Sequence, residues 1–142
     1  MEIPNFKLEA GEYEKILLVL SSLNQKLKAD SVFLINRTGQ EIAHDGNSHT
    51  LDIQALSSLA ASNLAATFGL ASLLGEREFE RIYHKGEKTS ILMNPIGEFA
   101  FLLFLLREVE EKDIDLKSIR HASLILEDVL KKCSRRLRSA RR

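Results

Sequence analysis

From Ile53 to Gly75 the chain carries no charged residue, although 28% of the whole sequence is charged. The run reads IQALSSLAASNLAATFGLASLLG. Asp52 stands before it as a helix N-cap, and Gly75 closes it as a C-cap glycine. At helical spacing, Ile53, Leu56, Leu59, Leu64, Phe68, Leu70, Leu73 and Leu74 fall on one broad arc. Ala55, Ser58, Ala61, Ser62, Ala65, Gly69 and Ser72 fall on the other. An ordinary surface helix would place Lys and Glu on that second arc. The pattern therefore predicts a helix covered on both sides, with its large side on the chain's own core. Its small side leaves room for another backbone to come close. The length also suits a bilayer span of roughly 20 residues. Against this, Gln54, Ser57, Ser58, Ser62, Asn63, Thr67 and Ser72 interrupt the run, and Asp52 and Glu76 flank it without a basic cluster. A buried helix at a protein interface is the better reading, with no transmembrane segment.

The rest of the chain supplies what such a helix packs on. Met1 to Ala10 reads as a loose arm. From Glu12 to Lys28, apolar residues recur at Tyr13, Ile16, Leu17, Leu20, Leu23 and Leu27, which is helical spacing. Ser31 to Asn36 and Gln40 to Asp45 read as a hairpin around Arg37-Thr38-Gly39. After a charged bend, Phe79 to His84 alternates without a purely apolar side, as in an edge strand or one completed by a second subunit. Thr89 to Asn94 is a further strand, with a turn at Pro95-Ile96-Gly97. Glu98 to Leu106 is nearly unbroken hydrophobicity, as in a central strand covered on both faces. The last helix begins near Asp113 or Asp115 and runs to Leu137, with Leu116, Ile119, Leu126, Leu130, Cys133 and Leu137 in one stripe. The element order αββαβββα predicts an α/β fold of the α+β type. Its five-stranded, mostly antiparallel sheet has the central helix on one face and the two terminal helices on the other. The domain is expected over residues 11–134, between an arm at 1–10 and a basic tail at 135–142.

The zero net charge conceals an asymmetry. Residues 131–142 hold Lys131, Lys132, Arg135, Arg136, Arg138, Arg141 and Arg142 and no acid, so the body before them is acidic overall. Such a tail suits an anionic surface, or is simply a solvated helix end. It has no interleaved aromatic residue for base stacking, so nucleic acid is not the expected partner. The single Cys133 excludes an intrachain disulfide framework, and the N-terminus lacks a signal-peptide pattern. Together these predict a cytoplasmic protein.

No catalytic constellation is legible. A phosphate-cradling GxxxxGK[ST] motif, HExxH and paired CxxC are all missing, so neither nucleotide hydrolysis by this chain alone nor a cofactor or metal is expected. His44 and His49 are the one weak candidate pair of metal ligands. Cys133, on the apolar stripe, reads as a buried small hydrophobe. The chemistry that remains is binding. The strip Ser58, Ala61, Ser62, Ala65, Gly69 and Ser72 is the candidate partner surface. Phe79, Arg81, Ile82, Tyr83 and Phe68 are the candidate contacts between two copies.

Three segments sharpen this. VFLINRTGQEIA at Val32 to Ala43, SLAASNLAATFGLASLLGEREF at Ser58 to Phe79 and YHKGE at Tyr83 to Glu87 together resemble the roadblock/dynein light-chain family. Within it the likeness is to the bacterial MglB-type regulators, and it covers roughly Glu12 to Ser134. The resemblance implies a homodimer whose sheets join edge to edge and whose central helices lie side by side. It also implies a small Ras-like GTPase partner (MglA-like), docked over the central helix, with Ala65 and Gly69 at the facing positions. Such regulators act in cell polarity and gliding motility and stimulate GTP hydrolysis without an arginine finger. A scaffold that only recruits a GTPase, another protein or an anionic membrane is the alternative.

Overall fold

The structure, a computed structural model, describes residues 2–3, 6–47 and 50–140. A small hairpin, β1 (Glu2–Ile3) and β2 (Phe6–Lys7), precedes helix α1 (Ala10–Leu27). Strands β3 (Ser31–Asn36) and β4 (Glu41–Gly46) follow, then helix α2 (Ile53–Leu73). Strands β5 (Ile82–His84), β6 (Ser90–Ile96) and β7 (Ala100–Leu106) lead through a 3-10 turn to helix α3 (Leu116–Ala140). Strands β3 to β7 form one sheet in the order β4-β3-β7-β6-β5, and every neighbouring pair is antiparallel. Two helices lie on one face and one on the other, as the element order predicts.

The middle of the sheet decides this layering. Every residue of β3 and β7 is buried. Successive side chains of a strand point to opposite faces, so a strand with no polar alternation must be covered twice. Val32, Leu34, Leu102, Phe104 and Leu106 meet α1 and α3 on one side. Phe33, Ile35, Phe101, Leu103 and Leu105 face α2 on the other.

Two strand boundaries differ from the pattern-based expectation. The strand expected from Phe79 begins only at Ile82, which pairs with Met93. Strand β6 continues through Pro95 to Ile96 instead of turning there. Strand β5 pairs only Ile91, Leu92 and Met93, so no neighbour on that side needs the N–H that Pro95 lacks.

Described residues of the expected arm and tail pack with the domain. Phe6 and Leu8 are buried in the core beneath α1 and α3. Helix α3 runs without a break to Ala140, and Leu137 is buried. Arg136 faces the start of α1, donating from Nη1 to Glu12 Oε2 at 3.0 Å and from Nη2 to Glu12 Oε1. The same Nη2 donates to the Lys7 carbonyl at 2.9 Å. Glu12 also accepts from the Glu9 N–H at 3.0 Å and so caps its own helix. One arginine thus ties three segments together.

The charge-assisted hydrogen bond from Arg136 holds the Glu12 carboxyl below the ordinary carboxylate range. A carboxyl lowered in the folded state gives stability that is present above its unfolded pKa and lost as pH falls through the folded one. Stability of the wild-type chain is therefore expected to decline below about pH 4.5 with a contribution that Glu12→Gln removes. Urea denaturation at pH 7 and in the acid range checks this. The variant's stability difference from wild type should shrink as the pH is lowered.

Candidate functional site

Helix α2 is defined at both ends by its sequence. The Asp52 side chain accepts from the Ala55 N–H at 3.0 Å. At the other end Leu74 is the cap, and Gly75 takes a left-handed φ of 79°. The Gly75 N–H donates to Ser72 O at 3.2 Å and the Glu76 N–H to Ala71 O at 2.9 Å. These two bonds make a Schellman motif.

The helix turns only half of its large arc inward. Ser57, Ala60, Ala61, Leu64 and Ala71 are the buried residues, with Ile53, Leu56 and Phe68 partly buried beside them. Leu59, Leu70 and Leu73 remain 69%, 59% and 85% exposed, and Leu74 is exposed as well. The physical reason lies in the sheet. Phe33, Phe101, Ile35 and Leu103 already fill the space beneath the helix, and a close-packed core admits mostly small residues against them. Leu64 is the one large plug. Ala61, expected on the partner surface, therefore faces the chain's own core. A Cβ at Gly39 would lie 3.5 Å from Ala61 Cβ and 3.0 Å from Ser58 Cα, so the β3–β4 turn meets the helix at close range. Gly39 holds a φ of 92° there, which favours glycine.

Ser58, Ser62, Ala65, Gly69 and Ser72 are exposed. Nothing lies within 4 Å of a Cβ built on Gly69. The outer face combines this small strip with the exposed Leu59, Leu70 and Leu73 and no charge. Its hydroxyls are partly satisfied within the helix: Ser62 Oγ donates to Ser58 O at 3.0 Å and Thr67 Oγ1 to Asn63 O at 2.9 Å. Such groups demand little of water, which makes the face more apolar than its composition suggests. By length and composition α2 could cross a membrane. Its inner row lies in the core, the arrangement of a helix packed on a sheet.

A clamp not legible in the sequence holds the C-terminal half of α2. The Arg37 guanidinium lies 4.5 Å from the Phe68 ring centroid, and its Nη2 donates to Gly97 O at 2.5 Å. Burial lowers the pKa of this group, offset by the fields of Glu78 and Glu98. Phe68, expected at a contact between copies, is thus half-buried beneath an arginine of its own chain. An arginine in a hairpin turn carries no pattern that would announce such a role.

The other expected contact residues sit at the β5 edge of the sheet. Phe79 and Tyr83 are half-buried and Arg81 is exposed, 3.5 Å from Glu80 Oε2. Ile82 is buried on the α2 side of the sheet. His44 lies beside the Glu41 carboxylate and 5.6 Å from the Phe33 ring centroid. His49 lies outside the described residues. Among the described residues no group of three or more His, Cys, Asp or Glu is placed to hold a metal ion. Cys133 is fully buried, and burial pushes its thiol up to about 11, so it is a core residue and not a nucleophile at neutral pH.

The family model described as the Roadblock/LC7 domain matches residues 15–106. The chain is similar to Myxococcus xanthus MglB, with 34% identity over 83% of this chain and 96% of that one, at a TM-score of 0.77. It is similar to the gliding protein mglB of Thermus thermophilus, with 29% identity over 89% and 96% of the two chains, at 0.80. A third structure, described as MglB with tetrameric arrangement, shares 29% identity over 90% and 96%, at 0.81. No curated protein sequence matches the chain.

The two sides of α2 should respond differently to truncation. Leu64→Ala is expected to cost about 2–5 kcal/mol, as for other buried leucines. Leu70→Ala is expected to stay within about 0.5 kcal/mol. Urea denaturation of the two variants checks which side is inside.

Proposed function

The chain belongs to the Roadblock/LC7 family, and from that premise we propose that it is a homodimeric regulator of a small Ras-like GTPase of the MglA type. It works in the cytoplasm, in cell polarity or motility. The observation that carries this reading is the outer face of α2, several turns of exposed and uncharged surface on a chain rich in charge. Uncovered apolar area of this kind marks a partner site. The similarity to MglB proteins over nearly the whole of their length supports the choice of partner class.

In this reading two copies join at the β5 edge, with Phe79, Arg81 and Tyr83 at or near the seam. Ile82 and Phe68 support that edge from within their own chain. The two α2 helices then lie side by side and offer Ser58, Ser62, Ala65, Gly69 and Ser72 to one GTPase, flanked by the exposed leucines. Such a surface has no cation to place on a transferring phosphate. Activation must come from fixing mobile segments of the GTPase so that its own groups align where charge develops. The protein is a regulator with no catalytic residue of its own.

Excess protein is expected to raise single-turnover GTP hydrolysis by an MglA-type GTPase by about tenfold or more, short of the roughly 10³-fold or greater gain from an arginine finger. An unchanged rate would sink the activating role. Ala65→Arg is expected to abolish complex formation while the free protein keeps its dimer mass. Retained affinity would place the docking surface elsewhere. Binding with no change in rate would instead favour the scaffold reading.

A further inference from the structure

We propose that the outer ridge of α3 is a docking surface for an anionic lipid membrane, on which the folded domain rests peripherally. This goes beyond the GTPase reading and does not depend on it. Helix α3 carries seven cations and only two carboxylates, Glu127 and Asp128. Its inner side, with Ile119, Leu126, Leu130, Cys133 and Leu137, is buried. On the opposite side Lys117, Arg120, Leu124, Lys131, Arg135 and Arg138 are all exposed. They follow at intervals of three, four, seven, four and three, so they form one line along the helix. At helical rise that line runs for about 30 Å.

The helix's own electrostatics do not account for this line. Cations favour a helix C-terminus, but the effect fades within the last turn. Lys117 stands in the first turn, where the dipole disfavours a positive charge, and Arg120 and Lys131 lie too far from the other end to gain from it. Ion pairing within the chain accounts for only part. Lys131 Nζ lies 3.2 Å from Glu127 Oε1, Lys132 Nζ lies 3.1 Å from Asp128 Oδ2, and the Arg136 guanidinium is held by Glu12. Among the described residues, Lys117, Arg120, Arg135 and Arg138 have no carboxylate at ion-pair distance. Leu124, 62% exposed, stands in the same line. A nucleic-acid backbone gives a leucine no apolar partner, and the ridge has no aromatic residue to stack on bases. A bilayer surface uses both parts of the line. Its anionic headgroups attract the cations, its acyl boundary takes up the leucine, and a flat surface meets a straight ridge along its whole length. The apolar side of α3 is already in the core, so the attachment is electrostatic and peripheral. Helix α2 lies on the other side of the sheet, so a membrane on α3 and a GTPase on α2 occupy different faces.

Co-sedimentation of the full chain with lipid vesicles tests this. Binding is expected to vesicles of phosphatidylglycerol and phosphatidylcholine in equal parts, and not to phosphatidylcholine alone. It should weaken as salt rises from about 0.01 M to about 0.15 M, where the Debye length falls from about 30 Å to about 8 Å. Arg135→Gln and Arg138→Gln are each expected to weaken it about fivefold, with an unchanged circular dichroism spectrum. Leu124→Gln is expected to weaken it by a factor that is the same at low and high salt, since the lost contact is apolar. Equal binding to both kinds of vesicle overturns the proposal. So does binding that the double variant Arg135→Glu with Arg138→Glu leaves unchanged. Wild type that ignores anionic vesicles at low salt also overturns it, whether the ridge then proves to hold DNA or the GTPase.

Discussion

Everything in this fold follows from two strands that tolerate water on neither side. Strands β3 and β7 bury every residue, and their aromatic and aliphatic side chains alternate between the two faces. One face is large enough to take two helices and the N-terminal residues Phe6 and Leu8. The other takes a single helix, and Phe33 and Phe101 leave that helix little room. It settles on them through alanine, serine and one fully buried leucine, with Ile53, Leu56 and Phe68 at the sides. Half of the bulk that a helix usually hides is displaced to its outside. The exposed leucines of α2 are therefore a consequence of how the sheet is filled.

This accounts for what could and could not be read in advance. The number and order of elements from α1 to α3 were legible, because the period of apolar residues changes cleanly between helices and strands; the short β1–β2 hairpin before them was not. The central strand was legible from its unbroken hydrophobicity. The special status of Asp52 to Gly75 was legible from the missing charges. The orientation of that helix was not. In most helices charged residues mark the outside, and the inside is found by opposition. With no charge, Leu59 and Leu64 look alike, and only the shape of the sheet beneath separates them. Ala61 was misplaced for the same reason. Local context also hid the role of Arg37, which depends on a contact across 60 residues of chain. Ser58, Ser62, Ala65, Gly69 and Ser72 lie on the outside as expected, whichever leucines accompany them.

The outer face of α2 is broad and uncharged. In the proposed reading it discriminates by shape and by exclusion of charged partners.

The Arg136 bridge to Lys7 and Glu12 also has a topological meaning. It brings the start of α1 and the last turns of α3 to one corner of the molecule, closing a path of 124 residues without a covalent link. The order in which the chain visits its elements is then partly arbitrary. A linker joining Lys7 to Arg136 across that corner, with a cut in the exposed turn around Lys85 to Lys88, would keep the same architecture in a new order. The fold is in this sense a ring that happens to be opened at one place.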